Sequence, residues 1–353
     1  MKFSETIAKG GTQNISWINN LRLIAMFAVI VLHTASPLLF KYAGSPLSWW
    51  MAADVYNAIV RFAVPVFVMI TGALLLHRKY ELTDFLKKRV GRLIIPFLFW
   101  SMIYIAYRWN NEEFYFTGNA WINIRMVLHD LKMGSYYHLW YVYLLFGLYL
   151  FIPILSSFVR HATEKEILYF LAIWLITMLI GKPYLTRFNS AVDLHNFTGY
   201  IGYLVLGHYL AYKQIPIKGF LFIVTIIFVA FAAVIAAGTY YYEVQGKGLS
   251  TFFYEPIGPF VLVLSSSAFL IAKHITVKLK PPVNNILNNA GKYTLGIYLS
   301  HALVLNGFEL SGINYSIFNP ALSIPLIALA CLVIAWLLIY ILSKIPILKY
   351  VSG

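Results

Sequence analysis

Residues 17–40, WINNLRLIAMFAVIVLHTASPLLF, form an apolar run long enough to cross a bilayer, which takes about 20 residues as a helix. Lipid disfavours two residues in that run, Arg22 and His33. Eleven steps of about 100° and about 1.5 Å bring a helical side chain back to within about 20° of the same face, about 16 Å further along the axis. The run therefore predicts one helix face with a fixed cation near one end and a titratable imidazole past the middle. An ionisable residue inside a spanning helix points by default to function. Two structural readings stand beside that one: Arg22 snorkels to the headgroups, and His33 is a hydrogen-bonded histidine of a bundle. The shared face argues against both for the pair.

Similar runs recur along the chain. Of its 353 residues, 60% are hydrophobic and 11% charged, and the mean hydropathy is +0.73; a soluble domain carries about 25% charged residues. The expected fold is all-α: a polytopic integral membrane protein of about ten transmembrane helices, read as one transmembrane domain over 1–353. The spans are expected near 18–40, 55–76, 91–109, 137–159, 166–183, 198–212, 219–240, 255–273, 291–309 and 321–343. The first sixteen residues are polar and the first apolar run is too long for a signal-peptide core, so no signal peptide is expected. The single cysteine, Cys331, lies in an apolar run, which excludes a disulfide framework or a thiolate metal site.

The net charge of +14 suggests nucleic acid until the basic residues are sorted by side. Eighteen Lys and Arg fall in one alternating set of segments, seven in the other, and Arg22 and Arg61 lie within spans. That bias follows the positive-inside rule and predicts both termini in the cytoplasm. The charge is then topological, and no nucleic-acid partner is expected. The longest connection, 110–136, falls outside; aromatic and mixed in charge, it reads as an extracytoplasmic interfacial segment, in part helical.

Further candidates follow in order. Arg61 lies near the outer end of the second span, where snorkelling outward is the simpler reading; Pro65 marks a kink, and Thr71-Gly72 permit close helix approach. Arg89 and Arg92 are three apart and share a helix face, a forked site for phosphate or a basic cluster facing anionic lipid. His138 opens the fourth span within an aromatic stretch that includes Trp140; it faces an extracytoplasmic acceptor or sits wet at the interface. His301 falls near mid-membrane with Tyr298 and Ser300, which suggests a polar cavity or an interhelical hydrogen bond. Glu243, Glu255 and Glu309 lie at outer span ends; a carboxylate there orients an imidazole or binds a hydroxylated acceptor. His129, His195 and His208 are left unassigned. No nucleophile elbow, P-loop, H-E-x-x-H or dinucleotide glycine motif occurs, so no metal is expected.

In this order the motifs resemble the membrane-bound acyltransferase family 3, and within it the stand-alone surface-polysaccharide O-acetyltransferases. The resemblance runs from about residue 15 to 305. It rests on Arg22 and His33; on R-x-x-V-P-x-F-x-x-x-[ST]-G from Arg61 to Gly72; on R-x-x-R with a following proline at Arg89, Arg92 and Pro96; on H-L-W-Y from His138; and on TLGIY from Thr294 with His301 beyond it. Two positions depart from the family pattern: Asn19 stands where an Asp often precedes the first arginine, and Leu23 where a Gly often follows it. An Asp that normally pairs with the arginine would be missing here. No fused SGNH-type hydrolase domain is read, so the chain is expected to complete transfer itself or hand the acyl group to a separate partner.

The resemblance implies acyl transfer from acyl-CoA, chiefly acetyl-CoA, to a hydroxyl of a cell-envelope glycan or its lipid-linked precursor, in the bacterial cytoplasmic (inner) membrane. It implies Arg89 and Arg92 as the CoA-phosphate site, and His33 as general base or transient acyl carrier. Arg22 would act on the CoA moiety or on developing negative charge. Tyr298, His301, His138, Trp140 and Arg61 would line the path or the acceptor side. The expected partners are acyl-CoA, the sugar acceptor and membrane lipid. The rival readings are a secondary transporter or lipid-linked-sugar flippase that uses Arg and His as a proton relay, and a sensor or scaffold with a decayed site. The first lacks support from matching halves of the chain.

Overall fold

The computed structural model describes residues 16–113, 115–180, 199–275 and 281–352. Expectations that fell on 1–15, 181–198 and 276–280, Lys182, Arg187 and His195 among them, lie outside the described residues. The described residues form helices and turns, with no strand among them. In chain order the helices are α1 (Ser16–Leu39), α2 (Leu47–Val60), α3 (Ala63–Leu75), α4 (Leu82–Asn110), α5 (Ala120–Met133), α6 (Trp140–His161), α7 (Glu164–Ile180), α8 (Ile201–Tyr212), α9 (Phe220–Val244), α10 (Pro259–His274), α11 (Pro281–Lys292), α12 (Thr294–Leu310) and α13 (Pro320–Lys344). Among the described residues, six helical runs are long and apolar enough to cross a membrane: α1, α2 with α3, α4, α6, α9 and α13. The shorter helices α7, α8, α10 and α12 fall at the other expected positions.

Two compact units result. The first is built from described residues within 1–79, 151–291 and 313–329; the second from those within 80–150, 292–312 and 330–352.

In the first unit α1 packs on α2 and α3, and α3 on α8. Glycine sets the α3–α8 distance. A Cβ on Gly72 would lie 1.9 Å from the Leu204 carbonyl oxygen, and one on Gly207 would lie 2.2 Å from that of Met69. The close approach expected at Thr71-Gly72 is therefore reciprocal, as small residues allow in a membrane bundle. Pro65 offers no N–H to the Arg61 carbonyl, and its ring crowds that turn. The helix accordingly breaks at Arg61 and Phe62, which divides the 29-residue run into α2 and α3. Pro325 likewise leaves the Ala321 carbonyl without its helical donor, and the Tyr56 hydroxyl supplies one at 2.6 Å.

In the second unit α4 starts on a Glu81 cap, whose carboxylate accepts from the N–H groups of Thr83 at 3.2 Å and Asp84 at 2.7 Å. The segment 110–136 contains α5, capped by Asn119 and with no buried residue. Arg108 on α4 donates to both carboxylate oxygens of Asp130 on α5, at 2.9 and 3.0 Å. A 3-10 turn, Leu348–Val351, closes this unit: the Trp100 indole donates to the Val351 carbonyl at 3.2 Å.

Candidate functional site

In the first unit, α1 carries Arg22 and His33 half-buried on one face. Arg22 reaches Asn19 Oδ1 at 3.5 Å. An amide thus stands beside Arg22 where the resemblance led to the expectation of an acid. The opposite face of α1 is apolar and lines a cavity of about 480 Å³. Asn20, Ile24, Phe27 and Val31 form that wall, facing Ile59 of α2 and Ile271 of α10. Neither Arg22 nor His33 is part of it, as a half-turn of about 180° between the two faces requires.

The second half of α1 is shaped by Pro37, which removes the helical donor for the His33 carbonyl. Pro65 does the same for Arg61, and Pro96 for Arg92. Three sequence-predicted residues thus each sit four before a proline, where the helical ladder is interrupted. That spacing was readable in the sequence.

Arg61 does not snorkel outward. Its guanidinium lies over the Tyr254 ring, 4.1 Å from the centroid, and its Nε is buried. Asp54 and Asn57, on the same face of α2, are 4% and 2% exposed. The second span begins at Leu47 rather than near 55, so Asp54 lies inside it, a buried carboxylate the sequence reading missed. The signal was present as D-x-x-N-x-x-x-R, spacings that keep all three residues within about 60° of one another. Asn57 Nδ2 donates to Ser36 Oγ of α1 at 3.4 Å. α9 packs against α2, with the Tyr240 and Trp50 rings 6.0 Å apart, and ends near Glu243. Tyr254 follows in the α9–α10 connection. Burial raises its phenol pKa, Arg61 lowers it, and the Glu243 and Asp54 carboxylates raise it.

At the other end of α3, the His77 ring accepts or donates at 3.1 Å to the Tyr212 hydroxyl, depending on tautomer. His208, fully buried, lies 4.9 Å from the Tyr212 ring. Burial lowers the His77 pKa, the Ala73 carbonyl raises it, and Arg78 lowers it further. These histidines belong to the α3–α8 contact.

In the second unit, Arg89 is half-buried and Arg92 exposed, one turn apart near the start of α4. His138 and His301 are both fully buried, with ring centroids 4.9 Å apart. His138 is thus not wet at an interface. The Tyr298 hydroxyl donates to the His138 carbonyl. His138 Nε2 is 3.4 Å from the Leu299 carbonyl, and His301 Nδ1 is 2.6 Å from that of Tyr298. Tyr104 of α4 donates to the Leu299 carbonyl at 2.8 Å and accepts from the Leu303 N–H at 3.2 Å. Those two groups are ladder partners four residues apart in α12, so the phenol is inserted between them. Trp140, 43% exposed, stands outside this cluster. No group of three metal-ligating side chains occurs among the described residues.

A family model described as an acyltransferase domain matches residues 15–340. The chain belongs to acyltransferase family 3. It is therefore a membrane acyltransferase by family, and the motif residues just placed lie within the matched region. No match was found among curated proteins or among solved structures.

Proposed function

We propose that this acyltransferase moves an acetyl group from cytoplasmic acetyl-CoA to a hydroxyl of a cell-envelope glycan or its lipid-linked precursor, in the bacterial cytoplasmic membrane. The observation that carries the reading is the family match over 15–340, together with Arg22 and His33 on one face of α1. Arg89 and Arg92, one turn apart near the start of α4, have the spacing and charge to hold the CoA phosphates.

His33 takes the proton of the acceptor hydroxyl as that oxygen attacks the thioester carbonyl. Collapse of the tetrahedral centre breaks the carbon–sulfur bond, and the CoA thiolate leaves and takes the proton from His33. The products are the O-acetyl ester and free CoA. The axial separation of about 16 Å between Arg22 and His33 is too long for both to hold one tetrahedral centre. Arg22 is therefore assigned to the CoA moiety rather than to the oxyanion.

The test is acetyl-CoA binding and turnover by the purified chain in nanodiscs. Wild type is expected to bind and turn over. His33→Ala is expected to bind but lose turnover by at least about 100-fold, the usual contribution of a general base. Arg89→Ala/Arg92→Ala is expected to lose binding. A wild-type chain that does not bind acetyl-CoA, or a His33→Ala chain with undiminished turnover, overturns the assignment.

A further inference from the structure

Among the buried polar atoms of the first unit with no hydrogen-bond partner among the described residues, Asn57 Oδ1 and Arg61 Nε lie one turn apart at the end of α2 and Glu243 Oε2 lies at the end of α9. Asn57 is 2% exposed and Asp54, one turn before it, is 4% exposed. Tyr254 ties the set together: it lies under the Arg61 guanidinium and within electrostatic reach of both Glu243 and Asp54. An unpaired buried polar group is costly, and a native structure that keeps several in one place has a reason to keep them.

A bound molecule that supplies both donors and acceptors is such a reason. Carboxylates accept from hydroxyls, the guanidinium donates to them, and the Asn57 carbonyl oxygen accepts one more. Trp50, Tyr240 and Tyr254 add ring surface beside these groups. Arg61 is the one cation among these side chains and has the carboxyl groups of Glu243 and Asp54 near it through Tyr254, so no unopposed positive charge is left for an anionic ligand. Half-buried Glu243, at the end of α9, is where the cluster reaches the surface.

We propose that Asp54, Asn57, Arg61 and Glu243 form the acceptor site, and that it takes a polyhydroxylated ring carrying no negative charge. This rests on the acyl-transfer reading for the use of the bound hydroxyl, and on the orphaned atoms alone for the binding.

Saturation-transfer NMR of the full chain in nanodiscs tests it, with methyl glucoside, glucosamine and glucuronate as probes and acetyl-CoA binding measured on the same samples. Methyl glucoside and glucosamine bind wild type, and glucuronate binds about ten-fold more weakly or not at all. Asp54→Asn and Glu243→Gln each weaken methyl glucoside binding about ten-fold, the cost of a charged hydrogen bond, while acetyl-CoA affinity stays within about two-fold. Equal sugar binding by wild type and both variants, no sugar binding by wild type, or a preference for glucuronate overturns the site. In each of those cases persisting acetyl-CoA binding leaves the acyl-transfer reading standing. Sugar binding with no acetyl-CoA binding does the reverse. If Asp54→Asn fails to give a monodisperse sample, Glu243→Gln, at a half-buried helix end, decides the question.

Discussion

The two units anchor their buried polar side chains differently. In the second, Tyr104, His138, Tyr298 and His301 each direct a polar atom at a backbone carbonyl or amide of their own unit, with four of these contacts converging on residues 298–303, while the other ring nitrogens, His138 Nδ1 and His301 Nε2, are buried away from those contacts. In the first, Asn57, Arg61 and Glu243 each leave a buried atom unpartnered among the described residues. Both sets contain groups that suit catalysis, so residue type does not separate them. Anchoring does: a network closed on the backbone rigidifies its surroundings, whereas one without such anchors is open to something that binds. Through these contacts His138, Tyr298 and His301 hold α12 in place, and the second ring nitrogens of the two histidines stay available to the substrate path.

The largest expected effect tests the closed network. Tyr104→Ala removes a fully buried ring and its inserted hydroxyl, and should cost about 3–5 kcal/mol of stability. Tyr104→Phe keeps the ring, strands the Leu303 N–H and leaves the Leu299 carbonyl only His138 Nε2 at 3.4 Å, for about 1–3 kcal/mol. Thermal unfolding in detergent, followed by near-ultraviolet circular dichroism, measures both. If Tyr104→Phe unfolds at the wild-type temperature while acyl transfer collapses, the cluster serves chemistry rather than structure and the contrast fails.

How legible these features were in the sequence depends on whether they are local. The spans follow from run length and hydropathy, and each falls within a few residues of a helix, except that α4 starts at Leu82, nine residues ahead of the third, and that the second also starts early. That one begins at Leu47, because Leu47, Trp49, Trp50 and Met51 extend the apolar run outward past Asp54. Excluding a charged residue from the span hid the very group that matters there. The pairing of Arg108 with Asp130 and the insertion of Tyr104 were not legible. Each joins side chains far apart in sequence, 22 residues for the first and 195 for the bond to Leu299. The motif residues were legible by resemblance, and the prolines at 37, 65 and 96 add a local reason for their setting. Which motif residues are closed off and which are open could only come from the packing.

The open network predicts a smaller effect of opposite sign. Asn57→Leu replaces a buried amide, bonded weakly to Ser36 at 3.4 Å and otherwise lacking an acceptor's donor, with an apolar group of similar volume. Stability should rise by up to about 1 kcal/mol, while acceptor binding falls. Site residues commonly trade stability for function in this way. A destabilised Asn57→Leu would mean that Asn57 is already satisfied, and would remove the distinction between the units at its most buried member.

The smallest effect supplies a reference that belongs to neither class. On the first unit Glu164 pairs with Lys213 and accepts from the Tyr209 hydroxyl at 2.9 Å, with its side chain 38% exposed. The hydrogen bond from Lys213, then that from Tyr209, holds its carboxyl pKa below the ordinary value. A depressed carboxylate stabilises the fold above its unfolded-state pKa, and that contribution is lost as pH falls through the folded-state pKa, hence below about pH 4.3. Because the pair is solvent-screened, Glu164→Gln should cost no more than about 0.5 kcal/mol at pH 7, and wild type and variant should converge as the pH is lowered toward 3. Unfolding temperatures across that range give the comparison. A loss at pH 7 as large as that of Tyr104→Phe would show that exposure does not rank these contacts in either unit.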